Sequence, residues 1–246
     1  MRLFSLFLSG LIFSICSCKS RSIASSALAD AEIKSHSTAF FLKKEDILDL
    51  QLSMFGGHKI PQAAIDELDT RLSEFQDSWD NAVKQGLLDL STNLSKRSFE
   101  RKEYIIWASL APLIPMGRPL IINMNPYLRN GTKAGSTLSD LAFVSMTHHE
   151  VLHFLVENIE GPILFRVSSI AQKYEKEPQN VLVHLHLMAL QKATYLKMGD
   201  IGKMLMIETD NLYNSIIKGD YQRAWQIVEI EGYQKFLDEL TALNLK

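Results

Sequence analysis

The stretch that most restricts this chain runs through residues 137–162. Thr137-Leu138-Ser139-Asp140 has the form of a capping box, and Gly161-Pro162 forms a C-terminal stop. Between these signals apolar side chains point in almost every direction, which predicts a central helix buried over most of its surface. At about 100° per residue, Ala142, Ser145, His149, His153, Val156 and Glu160 share one band. Leu141, Val144, Leu152, Leu155 and Ile159 lie opposite. His149 and His153 therefore stack one turn apart. Two imidazoles inside a buried helix need partners, because a buried polar group without one is costly.

His149-Glu150-Val151-Leu152-His153 spells H-E-x-x-H. On one helical face the two histidines can reach a single Zn²⁺, with Glu150 beside the open coordination position, where it can take a proton from a metal-bound water. The plainer reading is a chance match in a core helix. A zinc site needs a third protein ligand. Residues 181–197 read as a second helix, although the first six could be strand-like, and they carry His184 and His186. In a helix these two point about 160° apart, so only one can join the site. His186 shares its face with Leu182, Ala189 and Ala193, small residues suited to close packing on the motif helix, and is the preferred ligand. His184, on a more polar face with Gln191 and Tyr195, is the alternative; Glu175, Glu177 and Glu208 remain further candidates. His148 points away from the band and reads as a core histidine. Glu157 reads as a solvated residue or a supporting one. Tyr195 is either a packed ring or a donor to a developing oxyanion.

The motif helix and the His184/His186 segment resemble the zincin metallopeptidases, over less than a third of the chain. The resemblance implies an α+β, mostly α, domain with a small sheet packed beside a central H-E-x-x-H helix and further C-terminal helices. It implies Zn²⁺ as cofactor, Glu150 as general base, and a peptide or protein substrate. Two departures stand against a named family. Val156 and Ile159 occupy the Gly and final His positions of the longer motif H-E-x-x-H-x-x-G-x-x-H, and the E-x-x-x-D pattern of glutamate-type zincins is not evident. The competing function is a non-catalytic exported lipoprotein, a binding module whose histidines hold a structural metal or only fill the core. A site closed by four protein ligands would favour it.

The rest of the chain frames these alternatives. With 246 residues, 46% hydrophobic and 22% charged, the chain suits one domain with a sizeable core. A formal net charge of −2 and no Lys/Arg run give no reason to expect nucleic acid. Residues 1–18 read as a signal peptide: Arg2 precedes an apolar run over 3–15 that is too short to span a bilayer. Ile15-Cys16-Ser17-Cys18 resembles a bacterial lipobox, with Cys16 in place of the usual small residue. That resemblance implies acylation of Cys18 and a periplasmic or outer-surface lipoprotein held on the membrane. Cleavage near residues 24–31 would give a secreted soluble protein instead. Residues 19–37, rich in Ser and Ala, read as a tether, and 38–246 as a single domain. Both cysteines precede that domain, so it folds without a disulfide.

Within the domain, residues 44–54 read as a helix. After Pro61 another begins, whose Ile65, Leu68, Leu72, Phe75 and Trp79 form a stripe. Residues 84–102 are ambiguous. Residues 104–110 and 119–124 read as strands around a loop marked by Pro112, Pro115 and Gly117, and they offer a sheet edge to an extended peptide. Residues 129–135 form a loop. Residues 200–246 read as two or three helices, with Asp220 as N-cap and Tyr221, Trp225, Val228, Phe236, Leu237 and Leu240 as packing residues.

Overall fold

In the computed structural model the apolar periodicities resolve into helices stacked around a buried helix pair, with a small sheet along one side. The described residues are 38–46, 49, 59–111, 115–131, 137–156 and 167–243. The segment read as a signal peptide with Cys18, the stretch read as a tether, most of the helix expected over 44–54, and Gly161-Pro162 lie outside them.

Strand β1 (Ala39–Lys44) alternates inward Phe40 and Leu42 with outward Phe41 and Lys43, the period-2 pattern of a half-buried strand. Helix α1 (Gln62–Lys84) starts after Pro61, which takes the N-cap, and buries Leu68, Phe75 and Trp79. Each such burial contributes about 1.5–3 kcal/mol. Helix α2 (Leu87–Ser95) occupies the ambiguous region; Gly86 supplies the left-handed turn before it at φ 96°. These helices form the crossover that a parallel strand pair requires, leading to β2 (Glu103–Ser109). β3 (Met116–Gly117) and β4 (Leu120–Asn123) follow, and the sheet order is β1-β2-β4-β3. β1, β2 and β4 run parallel, and β3 pairs antiparallel with β4 as the outer edge. The two strands expected from sequence therefore exist, and β3 forms inside the segment read as a loop.

After a 3-10 turn (Asn125–Tyr127), helix α3 (Asp140–Val156) carries the H-E-x-x-H motif. Its start differs from the Thr137 capping box. Ser139 is the cap, its Oγ accepting from the Ala142 amide at 3.0 Å, because that hydroxyl sits one residue before the first helical residue. Arg71 on α1 fixes the same end by donating to Asp140 at 2.6 Å and to the Tyr127 carbonyl at 2.8 Å. At the other end Arg97 donates to the carbonyls of Leu155 and Val156 at 3.0 and 3.2 Å, capping otherwise orphaned acceptors.

A short helix α4 (Ser169–Lys173) precedes α5 (Gln179–Lys197), which is helical from its first turn. α6 (Gly199–Asn211) runs into a π-helical turn (Leu212–Ile216), and α7 (Asp220–Glu231) and α8 (Tyr233–Leu243) close the chain. The N-cap of α7 is Gly219, at φ 77°, and Asp220, expected to be the cap, is instead the first helical residue, where its charge complements the helix N-terminus. α5 packs against α2, α3, α6, α7 and α8, so it and α3 form the centre. Aromatic pairs join the layers: Phe40 stacks on Tyr104 at 4.9 Å, Tyr104 meets Phe154 at 4.7 Å, and Phe75 meets Phe143 at 5.0 Å. The described residues form one compact unit, mostly helical with a mixed sheet. Among the described residues no helix is long and apolar enough to cross a membrane.

Candidate metal centre

Residues 142–152 of α3 are all buried, so whatever its polar side chains contact must lie inside the protein. His149 and His153 stack as their spacing requires, with ring centroids 5.3 Å apart. α5 crosses beside them and brings in His184, whose ring lies 5.1 Å from His149 and 5.4 Å from His153. One nitrogen from each of the three rings lies within 4.8 Å of the others. Among the described residues, no other His, Cys, Asp or Glu group closes on one point in this way.

The preference for His186 is corrected by this geometry. α5 turns the side that carries His186 toward α8 and the side that carries His184 toward α3. His186 Nε2 bonds Glu239 at 2.8 Å and its ring meets Phe236 edge-on at 5.4 Å. Glu239 also accepts from the hydroxyls of Ser168 and Ser169 and from the Ser169 amide. Burial pushes the Glu239 carboxyl up, but the bonds from His186, Ser168 and Ser169 outweigh it and hold the group at about 2. The glutamate candidates are also engaged elsewhere or exposed: Glu208 accepts from Ser139, Glu177 binds Arg223, and Glu175 is exposed. Glu157 lies outside the described residues.

Hydrogen bonds at the outer nitrogens orient two of the three rings. His184 Nδ1 lies 2.5 Å from the carbonyl of Asn180, which can only accept, so Nδ1 donates there and Nε2 is the nitrogen left for a metal. His149 Nδ1 lies 2.7 Å from the hydroxyl of Tyr213. His149 Nε2 is fully buried and has no hydrogen-bond partner among the described residues. Burial, reinforced by the two neighbouring imidazoles, pushes His149 well below the usual histidine range, so the ring is neutral. A neutral, buried imidazole beside two more imidazoles matches the borderline-soft donor set that suits a divalent zinc-like ion. Three histidines would supply three of the four ligands of a tetrahedral ion, and among the described residues no fourth His, Cys, Asp or Glu joins them. The site is least covered at His153, whose side chain keeps 12% exposure.

Glu150, 1% exposed, brings its carboxylate to 3.8 Å from His153 Nε2. Three phenols share this interior. Desolvation raises the pKa of Tyr127, Tyr213 and Tyr221 in each case, and the Glu150 charge adds to it, so all three stay protonated. The Tyr221 ring lies 4.6 Å from His184 and 5.3 Å from His149. Tyr195 is not at the centre; its hydroxyl contacts His148 and Gln191, and burial raises it to about 12. His148 is a core histidine as expected, bonded to Ser91 and Tyr195, and burial lowers it to about 3.

Edge strand β3 approaches the motif helix closely. A Cβ on Gly117 would lie 2.8 Å from His153 Cβ and 3.0 Å from the Glu150 carbonyl oxygen. Only glycine lets the strand reach this position. Sequence reasoning passed over Gly117, Tyr213, Tyr221 and Gln191 as site residues. Gln191 had a signal, since it shares the polar face of His184. Tyr213 sits on the π turn, a local winding often found at functional positions, which no 3.6-residue period reveals.

No family model matches this chain, and no curated protein or solved structure matches it.

Proposed function

We propose that this protein is a zinc-dependent peptidase whose metal is held by His149, His153 and His184. The observation that supports it most is the buried cluster of His149 and His153 on the H-E-x-x-H helix with His184 from α5, Glu150 alongside and no fourth His, Cys, Asp or Glu joining the group among the described residues. Zinc, when bound, supplies a Lewis acid and brings the pKa of a coordinated water toward neutrality. Glu150 accepts the proton of the attacking water and delivers it to the leaving amine. Tyr221, whose ring packs against His184 and His149, would be the donor to a developing oxyanion. Edge strand β3, resting on His153 through Gly117, suits an extended peptide that adds to the sheet. A zincin-like domain and a lipid anchor at Cys18 on an exported protein belong to the same reading.

Metal analysis of the purified protein, followed by a peptide-library digest, tests it. Stoichiometric zinc is expected in the wild type and in Glu150→Gln, and cleavage only in the wild type. Absence of zinc, or full cleavage by Glu150→Gln, refutes the peptidase. Zinc without cleavage in either protein would identify a structural centre in a binding module. Metabolic labelling with palmitate, lost in Cys18→Ser, tests the anchor.

A further inference from the structure

A continuous set of hydrogen bonds leads from His149 across the core to α2. Its direction can be worked out from groups that have no choice. The carbonyl of Ser145 accepts only, and Gln191 lies 3.0 Å from it through Nε2; the amide cannot turn over without setting two oxygens against each other. Gln191 Oε1 must then face Tyr213, at 2.9 Å. An amide oxygen also only accepts, so Tyr213 gives it its single proton. The Tyr213 oxygen is left to accept at 2.7 Å from His149, whose Nδ1 must therefore carry hydrogen. On the other side, Gln191 Nε2 also donates to Tyr195 at 3.1 Å, and Tyr195 donates to His148 Nδ1 at 3.1 Å. His148 Nε2 then donates to Ser91 at 2.9 Å, and Ser91 to the Leu87 carbonyl at 2.7 Å. All of these side chains are buried.

The structure assigns Gln191 as a positioning residue. Its amide, oriented by the Ser145 carbonyl and acting through Tyr213, holds His149 in the Nδ1–H tautomer, with the Nε2 lone pair turned to His153 and His184. The inference rests on the zinc reading for its purpose, but the tautomer itself is a property of the metal-free protein. Orienting partners of this kind are usually carboxylates or carbonyls. Here the partner is a neutral phenol–amide pair, so it fixes the ring without adding negative charge near the centre.

The test is nitrogen NMR of metal-free protein carrying ¹⁵N-histidine, with the His149 signals identified by their loss in His149→Gln. The expected wild-type result is a protonated Nδ1 and an unprotonated Nε2. In Gln191→Met the Tyr213 hydroxyl can turn its proton toward His149, and the Nε2–H tautomer should appear. Zinc affinity, read by chelator competition, should fall about 10–100-fold in Gln191→Met and in Tyr213→Phe. An Nε2–H tautomer in the wild type overturns the inference, as does a tautomer and affinity unchanged by Gln191→Met. If Gln191→Met does not fold, the wild-type spectrum still decides. A wild type that binds no zinc but shows the Nδ1–H form would refute the proposed function and leave this assignment standing.

Discussion

Replacing His184 and His186 separately gives the sharpest test of how the centre is built, since the two residues are neighbours on one helix with opposite surroundings. His184→Ala removes one of three proposed ligands. Structural zinc binding contributes about 10–16 kcal/mol over four ligands, or roughly 2.5–4 kcal/mol per ligand. At 1.4 kcal/mol per tenfold, loss of one ligand weakens zinc about 10²–10³-fold. Zinc at 100 times the wild-type dissociation constant stabilises the folded protein by about 2.7 kcal/mol, and a hundredfold weaker site retains only about 0.4 kcal/mol. For a domain of this size that corresponds to a zinc-induced rise in Tm of roughly 5–10 °C, cut to about 1–2 °C. His186→Ala acts in the opposite sense. It deletes the 2.8 Å bond to Glu239 and the edge contact with Phe236, and leaves a small cavity between α5 and α8. The expected loss is about 2–4 kcal/mol of metal-free stability, with zinc affinity unchanged. Thermal melts with and without zinc, beside chelator competition, separate the two effects. Zinc retained in His184→Ala and lost in His186→Ala would refute the arrangement.

Other outcomes follow from the same geometry. Glu150→Gln should keep zinc and lower peptide cleavage at least 10²-fold, the usual contribution of a general base being about 10²–10⁴; an assay on zinc-loaded protein reads it. Gly117→Ala puts a methyl group 2.8 Å from His153 Cβ, so β3 or α3 must shift. A stability loss of about 1–3 kcal/mol is expected, as for overpacking, with weaker zinc binding; a neutral result in both would show that the approach is not tight. Phe75→Ala, in the core under Tyr127 and Phe143, should cost about 3–5 kcal/mol by urea denaturation. Glu239 has a depressed pKa of about 2 against an ordinary 4.5, so its stabilisation is complete above 4.5 and disappears as pH falls toward 2. Stability measured across that window should fall more steeply in the wild type than in Glu239→Gln.

Much of the scaffold was readable because it repeats. The stripe Leu68, Phe75, Trp79 follows the helix period, the apolar runs over 104–110 and 119–124 are short and bounded by Pro, Gly and charged residues, and each formed the expected element. β3 was not readable, since Met116-Gly117 is too short to show any period and owes its pairing to β4. β1 hid in the six residues between a polar tether and a helical pattern. Within the centre, the four-residue spacing of His149 and His153 revealed their common face. His184 and His186 could be sorted into two faces, but which helix covers each face is a tertiary fact: α8 covers the side that carries His186. Tyr221 resembled Trp225 and Phe236 in the sequence. An aromatic ring at a helix start reads the same whether it meets core or site.

His153 and His184 stand 31 positions apart and belong to different helices. A metal joining them would close the chain between them into a loop, much as a disulfide does in a protein that has none in this region. Closing a loop of that length reduces the conformational freedom of the unfolded chain by the equivalent of about 3–4 kcal/mol. An ion retained during partial opening would therefore keep α3 and α5 clasped while the outer helices loosened. The last structure to melt in the metal-loaded protein would be this helix pair, so amide protection along α3 and α5 should outlast that of α7 and α8.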